Sequence, residues 1–549
     1  MKKKTFLIIT IISLLFSCCK GYKEIKMIKL PSNNNYKKII FSSKVLKNWH
    51  LKDFEIDTLP GVSLYRAYDS ILINKKSKKI IIALIDTEVD INHKDLKSNI
   101  WINKNEILNN NIDDDDNGYI DDVNGWNFLG NEAGENHKFV NFEYTRILKT
   151  LKPKFDSISV ENISHKDSLE YKFFLKVKKR YDKRLKYDLA EKKYYDKLYK
   201  YYFKAKEELS PFFKNNNYTI KGLDSLKKIK SNKIEYIHFL LLTDCLQNGI
   251  DDSYVIDEKY QVNERINKLI NLDYNDRLIQ GDNPNDISDI NYGNNILDGN
   301  VKLLKHGTKM AGVIVNIGLK SEFKIMPLVI SAYGDEHDKD IALAIRYAVN
   351  NGAKVINMSF GKEFSLHKNW VFDAIKYAER NNVLIISSAG NFGYDLDVNN
   401  YYYPNDNENN ELEVSDNFML VGATSFSLSN NFKTESSNYG KIDVDIFAPG
   451  KNIFTALPNN KYCYNVCGTS SASAITSGVA ALLYSYYPNL TASQVKHILM
   501  DSGLEYTIEV QTPTKEDKNK TTPFNQLSKS GKVLNAYNAL LMAAEVSEN

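Results

Sequence analysis

Three side chains far apart in the sequence have types and settings suited to nucleophilic hydrolysis. Asp86 closes the apolar run Ile80-Ile81-Ile82-Ala83-Leu84-Ile85, His306 opens His306-Gly307-Thr308-Lys309-Met310-Ala311-Gly312, and Ser470 lies in Gly468-Thr469-Ser470-Ser471-Ala472-Ser473. A serine hydroxyl is a weak nucleophile until a base takes its proton, and an imidazole serves as that base when a carboxylate orients it and stabilises its charged form. Asp, His and Ser in this chain order therefore read as the set needed to attack an acyl carbon. Met310, Ala311, Val313 and Ile314 supply the inner face of a helix that would fix His306 at its start. The small residues from Ser471 to Gly478, followed by Val479-Ala480-Ala481-Leu482-Leu483, read as a buried helix with Ser470 at its N-terminus, where the helix dipole favours a developing oxyanion.

A second cluster, Asp113-Asp114-Asp115-Asp116-Asn117-Gly118-Tyr119-Ile120-Asp121-Asp122, puts oxygen ligands at alternating positions with Gly118 at a sharp turn, as in the first part of an EF-hand loop. Asp113, Asp115, Asn117 and Asp121 are the candidate ligands, and Ca2+ is the ion this chemistry suits. The twelfth position carries Asn124 in place of a bidentate Glu, so the match is partial, and a solvated acidic turn is the alternative. The cluster holds no His, which argues against a zinc-type hydrolytic centre there.

These residues need a scaffold. The run from Ile80 to Ile85 is short and β-branched, as in a parallel strand buried on both faces. Similar runs recur at Phe323 to Ile330, Val355 to Ser359, Val383 to Ser387, Phe418 to Gly422 and Val444 to Phe447, with helical patterns at Ile341 to Asn350 and Trp370 to Asn381. Strand, helix, strand repetition predicts an α/β fold, a parallel sheet flanked by helices, with chemistry in the loops beyond the carboxyl ends of the strands. Between about Val140 and Gln280 the texture changes to long helical stretches crowded with Lys and Tyr, such as Tyr171-Lys172-Phe173-Phe174-Leu175-Lys176. This predicts an inserted helical subdomain. An amphipathic hairpin with solvated lysines is the simpler reading, and a lid beside the cleft or a contact with anionic lipid are the others.

The order and the local motifs resemble the subtilase family. The resemblance runs from about Trp49 to Phe128 and from His306 to Ala544, including Val533-Leu534-Asn535-Ala536 near the end, and it leaves out the insert. It implies a subtilisin-like α/β fold and a serine endopeptidase that works through an acyl-enzyme and needs no cofactor for its chemistry. It further implies Asn391, in Ser388-Ala389-Gly390-Asn391, as the oxyanion donor beside the backbone N–H of Ser470. Ser359-Phe360-Gly361 is similar to the family's substrate-lining segment, whose backbone pairs with the extended substrate and walls the primary specificity pocket, and Ser388, Ala389 and Gly390 are implied as further substrate-binding residues. Tyr403-Pro404 resembles a family turn whose peptide bond is cis, and the acidic loop followed by Gly125-Trp126-Asn127-Phe128 is similar to a calcium loop of some members. The chain departs from the family at Glu88, where Gly is usual, and at Ser471 and Ala474, where Met and Pro are usual. Glu88 would either raise the proton affinity of His306 or point outward. The alternative is a non-catalytic subtilase-fold lipoprotein that binds peptides at the surface.

Lys2, Lys3 and Lys4 precede an apolar run from Thr5 to Phe16, too short for a comfortable membrane span, and Leu15-Phe16-Ser17-Cys18 resembles a bacterial lipobox. The expected organisation is a lipoprotein signal peptide over 1–17 with lipid on Cys18, a linker over 18–48, a peptidase domain over 49–139 and 281–549, and the helical insert over 140–280. An extracytoplasmic, membrane-anchored protein acting on protein or peptide substrates follows. Of 549 residues, 72 are Lys or Arg and 68 are Asp or Glu, a near balance that gives no reason to expect a nucleic-acid partner. Cys245, Cys463 and Cys467 remain after Cys18 and Cys19, too few for a disulfide framework. Cys463 and Cys467 could form one bridge, or be two small buried side chains on the strand leading to Ser470.

Overall fold

β-Branched and aliphatic side chains make seven residues, Ile80–Asp86, into strand β1, buried along nearly its whole length. A strand covered on both faces needs parallel neighbours joined by helical crossovers. The structure, a computed structural model, describes residues 26–30, 46–227, 233–398, 402–407 and 412–548, so the expected signal segment and Cys18 lie outside the described residues. After β1 come β2 (Trp126–Asn127), β3 (Phe323–Val329), β4 (Val355–Met358), β5 (Leu384–Ser388), β6 (Phe418–Thr424) and β7 (Ile446–Pro449). The hairpin β8 (Ile453–Leu457) and β9 (Lys461–Val466) stands apart from the main sheet. β10 (Leu504–Glu505), the small pair β11 (Glu509–Gln511) and β12 (Thr521–Pro523), and β13 (Lys532–Val533) complete the strands. The nine-stranded sheet has the order β10-β13-β7-β6-β5-β4-β1-β3-β2. Every pairing from β13 to β2 is parallel, and β10 closes one edge antiparallel. β1 pairs with β3 and β4, so Asp86 ends an interior strand, third from the β2 edge of the sheet.

Two short helices, α1 (Phe54–Asp57) and α2 (Leu64–Ser70), precede the sheet. The insert contributes α3 (Glu143–Phe155), α4 (Ser168–Leu209), α5 (Ile220–Lys227), α6 (Lys233–Gln247) and α7 (Asp252–Glu264). The crossovers and the end of the chain supply α8 (His306–Gly318), α9 (Asp338–Asn350), α10 (Lys368–Arg380), α11 (Thr469–Tyr486), α12 (Ala492–Asp501) and α13 (Ala536–Glu548). α11 is buried along almost its entire length and packs across β4, β5, β6 and β7, which only a helix of small and aliphatic residues can do. The predicted strands and crossover helices agree with these bounds to within about three residues. The edge strands β2 and β10, and β13 between β10 and β7, are absent from the sequence-based expectation, because two residues give no periodicity to read. Ile28, expected in a linker, is buried instead: its N–H donates to Asn538 Oδ1 at 2.8 Å and its carbonyl accepts from Asn538 Nδ2 at 3.0 Å, tying it to α13.

Over its described residues the insert packs five helices around two apolar clusters, so it is more than the simple hairpin the sequence suggests. Tyr144, Ile147, Leu148, Leu151 and Phe155 of α3 meet Phe174, Val177 and Tyr181 of α4 together with Ile270 and Phe364. The far half of α4 packs Tyr202, Ala205 and Leu209 on Leu223, Phe239, Leu242 and Val255. Among the described residues no helix is long and apolar enough to cross a membrane. The helices end at Glu264, earlier than the expected boundary at 280, and the chain returns through a π turn at Arg265–Leu269.

The root of the insert is held by buried charges. Lys362, immediately after Gly361, sits between Asp338 at 2.8 Å and Glu143 at 3.4 Å and donates to Glu336 O at 2.6 Å. Arg146 pairs with Glu143 and, at 3.3 Å, with Asp276, which also meets His337 Nε2 at 3.0 Å. Burial alone would raise Glu143, but Arg146 and Lys362 outweigh it and hold it far below the usual carboxylate range. Removing one partner of such a set leaves buried charges uncompensated. Lys362→Met is accordingly expected to destabilise the protein by about 3–5 kcal/mol, read as a lower urea midpoint; an unchanged midpoint would show that these pairs do not hold the insert.

Candidate active site

Asp86 is the last residue of β1 and buried, and its carboxylate meets His306 Nδ1 at 2.8 Å through Oδ1 and 3.0 Å through Oδ2. Oδ1 also accepts from the Thr87 N–H at 2.6 Å, which fixes the carboxylate plane. Thr87 Oγ1 accepts from Gly307 N at 2.8 Å and donates to Leu304 O at 3.0 Å, stapling the end of β1 to the start of α8. A Cβ on Gly307 would lie 2.2 Å from Thr87 O, so no larger residue allows this approach. With Nδ1 facing a carboxylate, the imidazole keeps its proton there and leaves the Nε2 lone pair free. The His306 side chain is 39% exposed. Burial lowers its proton affinity, but the charge and hydrogen bond of Asp86 outweigh that and leave its pKa above the ordinary value.

Glu88 takes neither of the roles expected for it. It is fully buried and accepts from the backbone N–H of Asn300 and from Asn300 Nδ2 at 3.0 Å, bracing the loop before α8. The carboxylate felt by His306 besides Asp86 is Glu336, which sequence reading missed. Glu336 is buried, accepts from Ser331 Oγ at 2.6 Å, and is pushed up to about 7 by burial and by the charge of Asp335.

Ser470 occupies the first turn of α11, where backbone N–H groups have no intrahelical acceptor. Its hydroxyl donates to Ser359 O at 2.9 Å rather than to His306. Ser359 Oγ returns a bond to Ser470 O at 3.1 Å and lies 3.0 Å from Ser473 Oγ, so the carboxyl end of β4 and the start of α11 are locked together. Asn391 is exposed at the end of the β5 loop, and its Oδ1 accepts from Thr469 N at 3.0 Å and Thr469 Oγ1 at 3.3 Å. With the oxygen engaged beside Ser470, the Nδ2 donors remain for a ligand. Ser359, Phe360 and Gly361 follow β4, while Ser388, Ala389 and Gly390 end and follow β5, on adjacent parallel strands. The Tyr403–Pro404 bond is cis. Tyr402, not singled out in the sequence, lies between these two segments.

Cys463 and Cys467 are free thiols, one half-buried and one exposed, so they form neither a bridge nor a buried pair. The acidic loop differs from its sequence reading in membership. Oxygen atoms of Glu106, Asp113 and Asp115 lie within 4.8 Å of one another, and Glu106 Oε2 and Asp115 Oδ1 are buried with no hydrogen-bond partner. Such orphaned carboxylate oxygens suit a hard cation. Asp121 stands outside that group and accepts from Asn110 N and Asn111 N, while Asn117 Oδ1 accepts from Tyr119 N. Left-handed backbone at Asp116 and Asp121 breaks the alternation that the spacing suggests and takes Asp121 off it.

Over 213 residues the chain is 32% identical to the cell wall-associated protease of Bacillus subtilis (strain 168), covering 37% of this chain and 22% of that protein. It is 31% identical over 205 residues to subtilisin DY of Bacillus licheniformis, covering 37% of this chain and 68% of that one. A solved lanthipeptide protease is similar at a TM-score of 0.34 and 27% identity, over 43% of this chain and 75% of that chain. The sequence profile of the subtilase family matches residues 77–530, and the chain belongs to the subtilase family.

Proposed function

We propose that the protein is a serine endopeptidase that hydrolyses peptide bonds in proteins through an acyl-enzyme, with Asp86, His306 and Ser470 as its triad. The observations that support this reading are the Asp86–His306 pair at 2.8 Å, the packing of α8, which His306 opens, against α11, which carries Ser470 in its first turn, and Asn391 anchored by its oxygen to Thr469. For attack, the Ser470 hydroxyl leaves Ser359 O and donates to His306 Nε2. His306 takes the proton as the Oγ–C bond forms, and returns it to the leaving amine as the C–N bond breaks. The backbone N–H of Ser470 and Asn391 Nδ2 stabilise the oxyanion. Water then repeats the sequence on the ester. An extended substrate pairs its backbone with residues 359–361 as an added strand. Fluorophosphonate labelling of the purified protein, with the adduct located by mass spectrometry, and cleavage of casein test the reading. A folded protein that takes no label and cleaves nothing would favour the non-catalytic peptide-binding alternative.

Two further parts belong to the reading. Ca2+ bound by Glu106, Asp113 and Asp115 would neutralise the loop that follows the β1 segment. Saturating Ca2+ at about 100 times its Kd is expected to add about 2.7 kcal/mol over a chelator control, seen as a raised Tm. Glu106→Gln should erase that difference, and equal Tm values for wild type with and without Ca2+ would dismiss the ion. Lipid on Cys18 would place the enzyme on an extracytoplasmic membrane face. Metabolic labelling with an alkyne fatty acid is expected to mark the wild type and not Cys18→Ser; equal labelling of both would reject the anchor.

A further inference from the structure

We infer that Tyr402 closes the primary specificity pocket, so that the protein cuts after glycine or alanine and rejects large side chains on the acyl side of the scissile bond. The inference rests on the peptidase reading above and names the substrate class of that site.

β4 and β5 are neighbours in the sheet, and beyond their carboxyl ends residues 359–361 and 388–390 form two walls. Both walls are tied to the nucleophile turn, through Ser470 Oγ on Ser359 O at 2.9 Å and Gly390 N on Thr469 Oγ1 at 3.1 Å. The side chain of a residue acylating Ser470 must therefore enter between them. The space is already taken. A Cβ on Gly361 would lie 2.2 Å from Tyr402 Cζ and 2.3 Å from its Oη, and a Cβ on Gly390 would lie 2.4 Å from Tyr402 Cε2. One ring thus rests on the bare backbone of both walls at once, and it fits only because both positions are glycine.

The ring is held there at both ends. Its hydroxyl donates to Phe360 O at 3.2 Å and lies 3.2 Å from Ser388 Oγ, one partner on each wall. Its backbone is fixed by the next residue, with Lys362 N donating to Tyr403 O at 2.9 Å and Tyr403 N to Lys362 O at 2.8 Å. Tyr402 is 4% exposed. Swinging it out would expose a buried aromatic ring and leave its polar partners unmatched, so a bulky substrate side chain cannot displace it cheaply. What remains above the ring accepts a hydrogen atom or a methyl group.

The test uses the full chain and internally quenched peptides that differ only at the residue before the scissile bond: Gly, Ala, Leu or Phe. Wild type is expected to favour Ala over Phe by at least about 100-fold in kcat/KM. Tyr402→Ala should reduce or invert that ratio by making room for Leu and Phe, and Tyr402→Phe, which keeps the ring, should preserve it. A wild type that cleaves after Phe or Leu as well as after Ala overturns the inference, and that profile decides the matter even if Tyr402→Ala does not fold. Fluorophosphonate labelling of Ser470 in the same preparation separates the two ideas: label with the wrong preference rejects only the closed pocket, whereas neither label nor cleavage rejects both.

Discussion

Ser470→Ala is expected to leave a folded protein whose kcat is lower by about 10^6-fold, the size known for subtilisin itself. The side-chain hydrogen bond lost in the resting state is the one from Oγ to Ser359 O, so the stability cost stays near 1 kcal/mol. The start of α11 remains tied by Ser359, Ser473 and Asn357, which bond to each other and to the Ser470 carbonyl. What disappears is the hydroxyl that forms the ester in the proposed mechanism. A residual rate of about 10^3–10^4 above water would persist, because Asn391 and the bound geometry still stabilise attack by water. Single-turnover kinetics on a fluorogenic peptide, with urea unfolding alongside, measure both halves of the expectation. Activity within tenfold of wild type would mean that the nucleophile lies elsewhere.

Asp86→Asn is the second large effect, a loss of about 10^4-fold in kcat near neutral pH. The carboxylate accepts from Nδ1 and so directs the proton away from Nε2; a neutral amide can present its NH2 instead and favour the wrong tautomer. The same change moves the pH profile in a defined direction. In the wild type, Asp86 holds His306 above 6.5 against the opposing pull of burial, and only the neutral imidazole acts as base. The acid limb of kcat/KM therefore lies above pH 6.5, with activity lost as pH falls through it. Without the Asp86 charge, burial and Lys309 lower the His306 pKa, so the residual activity should survive to lower pH. Glu336, at about 7, is the neighbour that could carry the limb instead. A limb that stays in place in Asp86→Asn and vanishes in Glu336→Gln would assign it to Glu336.

Much of the scaffold was legible because it depends on short-range pattern. Ile80 to Ile85 has too many β-branched residues and too little polarity to be anything but a doubly covered strand, and six such runs with helices between them leave few topologies. Asp86, His306 and Ser470 were legible for the same reason. Each sits at a strand or helix end whose apolar continuation can be read next to it. The insert was legible as helix, from its long stretches crowded with Lys and Tyr, but its attachment was not. Lys362 lies between Glu143 and Asp338 only after two remote segments pack, and nothing near Lys362 in the chain marks it as buried.

Local periodicity and local chemistry were enough to read the parallel α/β architecture, the chain order of the candidate residues Asp86, His306 and Ser470, and the helix that carries Ser470. Tertiary structure alone decided which acidic side chains converge, because backbone turns at Asp116 and Asp121 take Asp121 away and let Glu106 in. It also decided that Glu88 turns to Asn300 while the charge of Glu336 adds to that of Asp86 in raising His306, and that Tyr402 fills the slot between Gly361 and Gly390. Those outcomes depend on where a side chain points once distant segments meet, and on the space left between them, neither of which residue type or spacing along the chain encodes.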